Sequence, residues 1–281
     1  MSIETISIEG RDVRVEVLGE AAATPILLLH GIGRSLEDWN EIAEVFARNY
    51  RVIRLDLPGF GYSTRAPGPV GLATIAAELP KVLDAVGEAR AVHAIGNSLG
   101  GAIAMQMLAD FPERVASTVL INSAGFGSSV TWLLRLLTLP GLGALATHKT
   151  TPTAARMFEK RIFVDPRFIT PERVAHAVAI GNRPGAGAFM REMAQALGTW
   201  RGVRSAWRED LVRRVVALQR PALIVWGDGD RVLPPAHFEN ARQALPHAHS
   251  HMFASTGHMP QIERAGETAA LISDFLAARQ A

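Results

Sequence analysis

The sequence predicts an α/β protein: a mostly parallel central sheet with helices on both faces and a helical cap inserted late in the alternation. Three observations carry this. Short apolar runs alternate with helix-periodic segments from Pro25 to Ile121, and again from Pro221 onward. Inside the first alternation, Ala91–Asp110 passes from a strand pattern into a helix pattern through Gly96-Asn97-Ser98-Leu99-Gly100-Gly101. From about Phe126 to Arg214, only helical patterns and Pro/Gly turns occur.

Taken in order, Ser2–Ile8 and Val13–Leu18 alternate apolar and polar residues around Glu9-Gly10-Arg11-Asp12, which predicts an antiparallel hairpin. Pro25–Leu29 reads as a buried strand and ends at His30-Gly31-Ile32-Gly33, where two glycines let the backbone approach a ligand. His30 precedes that turn, a place suited to hydrogen-bonding the loop. Leu36–Arg48 has helical spacing, Tyr50–Leu55 is the next strand, and Asp56–Ser63 is a Pro/Gly turn in which Asp56 has a local structural role. Leu72–Val86 predicts one helix, Ala91–Ile95 a strand, Leu99–Leu108 a helix and Val115–Ile121 a strand. Such alternation implies parallel strands joined by right-handed crossovers.

The inserted stretch predicts helices at Thr131–Leu139, Thr153–Ile162, Pro171–Ile180 and Ala186–Leu197. They read as a cap of residues 125–216 over a core made from residues 1–124 and 217–281. The Trp132–Leu137 run is apolar almost all round; it fits the lining of a substrate cavity better than an interfacial lipid anchor, because it is short and carries one positive charge. Trp132 and Leu136 are therefore candidate pocket residues. Pro221–Trp226 then resumes the sheet, followed by a helix at His237–Ala244, a strand at Ala248–Ala254 and a closing helix at Glu263–Ala278.

Composition narrows the function classes. Lysine and arginine number 29 against 27 acidic residues, a net charge of +2, so no basic field invites nucleic acid. The arginine-rich stretch Arg201–Arg220 reads as the solvated face of an amphipathic helix. Cysteine is absent, which excludes disulfides, thiol nucleophiles and thiolate metal sites. His247, His249 and His251 alternate but lack a nearby carboxylate, so an exposed strand face is expected there, with no metal and no cofactor. The N-terminal stretch lacks the order of a signal peptide and no apolar run is long enough to span a bilayer, so a cytoplasmic protein is expected.

The chemistry concentrates at Ser98. A strand that turns into a helix over one residue strains that residue and crowds the positions two before and two after it, which suits Gly96 and Gly100. The apex side chain stands out from the sheet end, above the free N–H groups of the helix start at Leu99. An oxyanion would be stabilised there. A serine hydroxyl needs a base, and of nine histidines only His258 lies in a glycine-containing loop after the last strand pattern.

With His30-Gly31-Ile32-Gly33, Asp56–Ser63, Gly96–Gly101, Trp226-Gly-Asp-Gly-Asp230 and Gly257-His258 in this order and spacing, the chain resembles the α/β-hydrolase superfamily. The resemblance covers roughly residues 3–124 and 217–281. It implies a triad of Ser98, Asp230 and His258, with Asp230 matching the W-G-x-x-D spacing better than Asp228. The alternative seat for the acid, after the strand that follows the elbow, holds Asn122-Ser123. The resemblance also implies oxyanion N–H groups from Ile32 and Leu99. A carboxylesterase acting on small to medium esters with an apolar acyl group is the leading expectation. A C–C bond hydrolase of ring-cleavage products is the alternative: Asn97 in the elbow matches such enzymes, whereas Met259 stands where they usually carry an aromatic. A non-enzymatic binding member of the fold is a third reading; Asn97 and Met259 are further candidate pocket residues, and the oligomeric state is not readable.

Overall fold

The structure, a computed structural model, describes residues 3–278. Ser2, placed in the first strand by its pattern, lies outside them. The chain runs through β1 (Glu4–Ile8), β2 (Arg11–Leu18), β3 (Thr24–Leu29), α1 (Asn40–Phe46), β4 (Tyr50–Leu55), α2 (Leu72–Ala76), α3 (Leu79–Ala85), β5 (Val92–Asn97), α4 (Leu99–Asp110) and β6 (Val115–Ile121). Then come α5 (Trp132–Leu136), α6 (Leu142–His148), α7 (Pro152–Ile162), α8 (Pro171–Gly181), α9 (Ala186–Leu197), the two-residue strands β7 (Gly198–Thr199) and β8 (Gly202–Val203), and α10 (Ser205–Leu218). The last part holds β9 (Ala222–Gly227), α11 (Ala236–Ala244), β10 (His249–Phe253), α12 (Pro260–Glu263) and α13 (Ala265–Ala277).

Eight strands form one sheet in the order β1-β2-β4-β3-β5-β6-β9-β10. The pairs β1–β2 and β2–β4 are antiparallel, and the remaining neighbours are parallel. The central strands are buried on both faces, and their side chains divide with a period of two. Ile26 and Leu28 of β3, Val52 of β4 and Leu223 and Val225 of β9 pack with α1 and α13. Leu27, Leu29, Ile53, Ile224 and Trp226 point the other way and pack with α2, α3, α4, α10 and α11. This is the mostly parallel, doubly covered sheet that the alternation predicts.

Local departures have local causes. The single helix expected over Leu72–Val86 is two, because Pro80 has no N–H to give to the turn before it and is tolerated only in the first turn of α3. The helix expected from Leu36 opens as a 3-10 turn, Leu36–Trp39, with the Leu36 N–H bonded to Asp56 Oδ1 at 2.8 Å. The long stretch without strand patterns contains the short β7–β8 ladder, and α6 was not foreseen there. Its last helix, α10, buries Leu211 and Val215 in the core cluster that contains α4, and Arg214 pairs with Asp110 at the end of α4 at 2.6 Å. The closing helix is interrupted at Arg264.

Candidate active site

Ser98 sits between β5 and α4 with φ +56° and ψ −116°, a conformation that a side-chain-bearing residue holds only when its surroundings enforce it. The surroundings are on both sides. A Cβ on Gly96 would lie 2.2 Å from the Gly100 carbonyl oxygen, and one on Gly100 would lie 2.1 Å from the Leu29 carbonyl oxygen. The Ser98 N–H donates to the Ile121 carbonyl at 3.0 Å, which ties the turn to β6. The serine is thereby held at the carboxyl end of the parallel strands, largely buried but lining a cavity.

His258 reaches the same place from the loop after β10 and lines a cavity with Ser98. Its Nδ1–H donates to Asp230 Oδ2 at 2.7 Å, so Nε2 is the nitrogen available for proton transfer. Asp230 is fully buried and held through both oxygens. Oδ1 accepts the Val232 and Leu233 N–H groups at 2.7 and 3.0 Å, and Oδ2 also accepts Asn122 Nδ2 at 2.7 Å. Asp228, by contrast, is exposed and, among the described residues, accepts only the Thr256 N–H, at 3.3 Å. The His258 loop is clamped from two directions. The His258 N–H donates to the Ile162 carbonyl at 2.7 Å, and Glu263 accepts Gly257, Val164 and Asp165 N–H groups at 2.5, 2.8 and 3.0 Å.

Two of these supports escaped the sequence reading. Asn122 stands at a seat that holds no acid, yet its Nδ2 donates to Asp230 in the loop after β9. It adopts φ +43°, which asparagine tolerates better than most residues. Glu263 carries no local signal at all, because two of its three partners lie 98 and 99 residues away.

Asn97 borders a small cavity with Ser98, His258 and Met259, but its Nδ2 donates to the backbone carbonyls of Ile121 and His258 at 3.2 and 3.0 Å. It braces the elbow against the histidine loop. Across the cavity, the Gly31-Ile32 turn approaches Ser98 so closely that a Cβ on Gly31 would sit 3.4 Å from the serine Cβ. Ile32 and Leu99 both line the Ser98 cavity, and among the described residues neither N–H is committed to a backbone carbonyl in a turn or cap. His30 is fully buried, giving its Nδ1–H to the Gly31 carbonyl at 2.8 Å and accepting the Leu57 N–H at Nε2 at 2.9 Å. Burial pushes its pKa down despite the nearby Asp56, so it is a neutral brace. Asp56 accepts the Leu36 and Tyr62 N–H groups and an Arg14 guanidinium N–H, the local role expected of it.

Three cavities meet at Ile32. One of about 70 Å³ holds Ser98 and is closed by Val130, Leu134 and Trp207. A narrow one of about 10 Å³ joins Ser98 to His258, Met259 and Phe158. The largest, about 360 Å³, lies beneath α5–α9 and is lined by Trp132, Leu136, Leu137 and Ile180. Its size and apolar walls are those of a small-molecule pocket. Trp132 is half exposed at its rim. The three alternating histidines diverge: His247 bonds the Arg220 carbonyl, while His249 and His251 lie edge-on to Phe275 and Phe253. No helix among the described residues is long and apolar enough to cross a membrane.

A model of the alpha/beta hydrolase fold matches residues 24–265. The chain is 33% identical over 267 residues to the dihydrolipoyllysine-residue acetyltransferase component of an acetoin cleaving system from Pseudomonas putida, covering 95% of this chain and 67% of that protein. It is 28% identical over 272 residues to a 2-hydroxymuconate semialdehyde hydrolase from Pseudomonas sp. (strain CF600), covering 94% and 91%. Among solved structures, a membrane phospholipase A described as a bacterial virulence factor superposes with a TM-score of 0.80 at 28% identity, covering 100% of this chain and 87% of that one. The strained serine turn at the end of a doubly covered parallel sheet, and a match running through nearly the whole length, lead to one conclusion: the chain belongs to the alpha/beta hydrolase fold family.

Proposed function

We propose that this protein is a serine hydrolase of carboxylic esters, working through an acyl-serine intermediate. The observation that carries the reading is the 2.7 Å bond from His258 Nδ1 to the fully buried Asp230, in a site where His258 and a strained Ser98 line one cavity. In this reading His258 Nε2 takes the Ser98 proton as Oγ attacks the ester carbonyl carbon. The Ile32 and Leu99 N–H groups receive the oxyanion. Collapse expels the alcohol with the proton from His258, and water then repeats the sequence to release the acid. Asp230 holds the imidazole tautomer and stabilises the imidazolium. The helices α5–α9 form a cap whose cavity takes the acyl group. We draw the end of this cap near β8, earlier than residue 216, because Leu211 and Val215 of α10 pack in the core cluster that contains α4 and Arg214 pairs with Asp110.

Covalent labelling tests this. A fluorophosphonate is expected to modify the wild-type protein at Ser98, and Ser98→Ala is expected to abolish both labelling and p-nitrophenyl ester hydrolysis while the protein stays folded. Labelling retained by the alanine variant overturns the assignment. A second reading, cleavage of a C–C bond in a ring-cleavage product, draws on the likeness to the 2-hydroxymuconate semialdehyde hydrolase. A dienoate assayed beside the ester panel separates the two.

A further inference from the structure

Four charged side chains meet beside the large cavity, where core and cap touch. Arg34 follows the Gly31-Ile32-Gly33 turn, Asp38 lies in the 3-10 turn, Glu159 belongs to α7 and Arg173 to α8. Arg34 donates from Nε and Nη2 to Asp38 Oδ2 and Oδ1 at 2.8 and 2.7 Å, and from Nη1 to Glu159 Oε1 at 2.5 Å. Arg173 donates from Nη2 to Asp38 Oδ1 at 3.2 Å and from Nε to Glu159 Oε2 at 3.3 Å. All four carboxylate oxygens are thus occupied by guanidinium N–H groups, and two positive charges face two negative ones. The carboxylates are almost wholly out of solvent, with side-chain exposures of 4% for Asp38 and 1% for Glu159. Burial would raise the pKa of Asp38, but Arg34 and Arg173 hold it below the usual carboxylate range, so it is ionised.

The position of this quartet gives it a consequence for substrate. Arg34 borders both the narrow cavity containing Ser98 and His258 and the large cavity, and Glu159 borders the large one. A buried arginine next to a low-dielectric pocket is a carboxylate site when it is unpaired, because a desolvated anion gains a charge-assisted bidentate partner. Paired within a neutral quartet, it offers nothing, and a carboxylate entering the pocket loses its water without compensation. Another arginine near the serine, the half-buried Arg135 of α5, borders the Ser98 cavity and gives its Nε–H to the Trp200 carbonyl at 2.6 Å.

We infer that Glu159, acting with Asp38, is a specificity-determining residue: by neutralising Arg34 and Arg173 it restricts the acyl pocket to uncharged chains, and its removal turns the arginine pair into a carboxylate site. The inference rests on the serine-hydrolase reading above. The test uses matched p-nitrophenyl esters, the alkanoates from butanoyl to decanoyl and the half-esters of dicarboxylic acids of equal chain length. The wild-type protein is expected to favour the neutral member in kcat/KM by about tenfold or more. Glu159→Gln, which keeps the shape and removes one negative charge, is expected to shrink that preference by about tenfold, chiefly through a lower KM for the charged series. Asp38→Asn is expected to move the ratio the same way and serves if the first variant does not fold. A wild-type protein that treats both series alike, or that prefers the charged one through Arg135 (a preference lost in Arg135→Gln), overturns the inference. So does an unchanged ratio in a folded Glu159→Gln protein. Failure of the underlying reading has a different signature, turnover of either series that survives Ser98→Ala.

Discussion

Replacing Asp230 by asparagine is the sharpest probe of the site, because the structure dictates which way the new amide must face. Oδ1 accepts two backbone N–H groups, from Val232 and Leu233, so the amide oxygen has to stay on that side. The NH2 group then takes the place of Oδ2, where it meets two donors, His258 Nδ1–H and Asn122 Nδ2. His258 can escape the clash only by moving its proton to Nε2, which leaves no lone pair to accept the Ser98 proton. Restoring the productive tautomer forfeits a hydrogen bond to a charged group, worth about 1.5–3 kcal/mol. It also leaves a buried donor unsatisfied, which costs a further 1–3 kcal/mol or so. The sum, roughly 3–6 kcal/mol, corresponds to a loss of about 10²–10⁴ in kcat/KM. Asp228→Asn is the internal control: that side chain is exposed and holds one N–H at 3.3 Å, so less than about tenfold is expected. The assay is p-nitrophenyl ester hydrolysis alongside the rate of fluorophosphonate labelling, with circular dichroism to establish folding. If Asp228→Asn loses as much as Asp230→Asn or more, the acid has been misassigned.

Two further outcomes follow from the cavity and from a buried histidine. Acyl chains are expected to gain about 0.8 kcal/mol, roughly fourfold in kcat/KM, per buried methylene until the cavity ends, then lose about 1–3 kcal/mol for the methylene that overfills it. Trp132 lines the large cavity at its rim, so Trp132→Ala is expected to shift the optimum to longer chains; a profile flat to palmitoyl, or one that the variant leaves in place, would refute the cap as an acyl pocket. His237, 2% exposed beside Trp226, has no partner on either ring nitrogen among the described residues, and burial pulls its pKa down to about 4 despite the nearby Asp230. The unfolded chain binds this proton from about pH 6.5 downward, so stability present above that pH drains away as the pH falls toward about 4, by about 2 kcal/mol at pH 5. His237→Leu is expected to remove that share of the acid limb in urea unfolding; parallel curves for variant and wild type would show that the histidine is already paired or hydrated.

The serine turn was legible because everything that shapes it lies within a few residues: glycines at two before and two after, an apolar run ahead and a helix former behind. The same holds for the sheet, since a strand buried on both faces has to be apolar along its length, as Pro25–Leu29 and Val115–Ile121 are. The broken helix at Pro80 was less legible, although its cause is local, because a proline in the first turn of a helix and one inside a helix look alike until the start of the helix is known.

What the chain alone could not reveal is how distant residues share their hydrogen-bonding capacity. Asp230 and Asp228 are two residues apart and chemically identical; only the approach of His258 and Asn122, the latter 108 residues away, separates a buried, doubly held carboxylate from a solvated one. Glu159 on an amphipathic helix reads as a surface residue, yet Arg34, 125 residues earlier, draws it into a neutral buried quartet. The sequence therefore determined the backbone frame and the serine at its apex, through sterics and periodicity that act over a few residues. The tertiary structure decided the supports of Asp230 and the charge balance beside the large cavity, because a polar group loses its water only where folding brings it a partner.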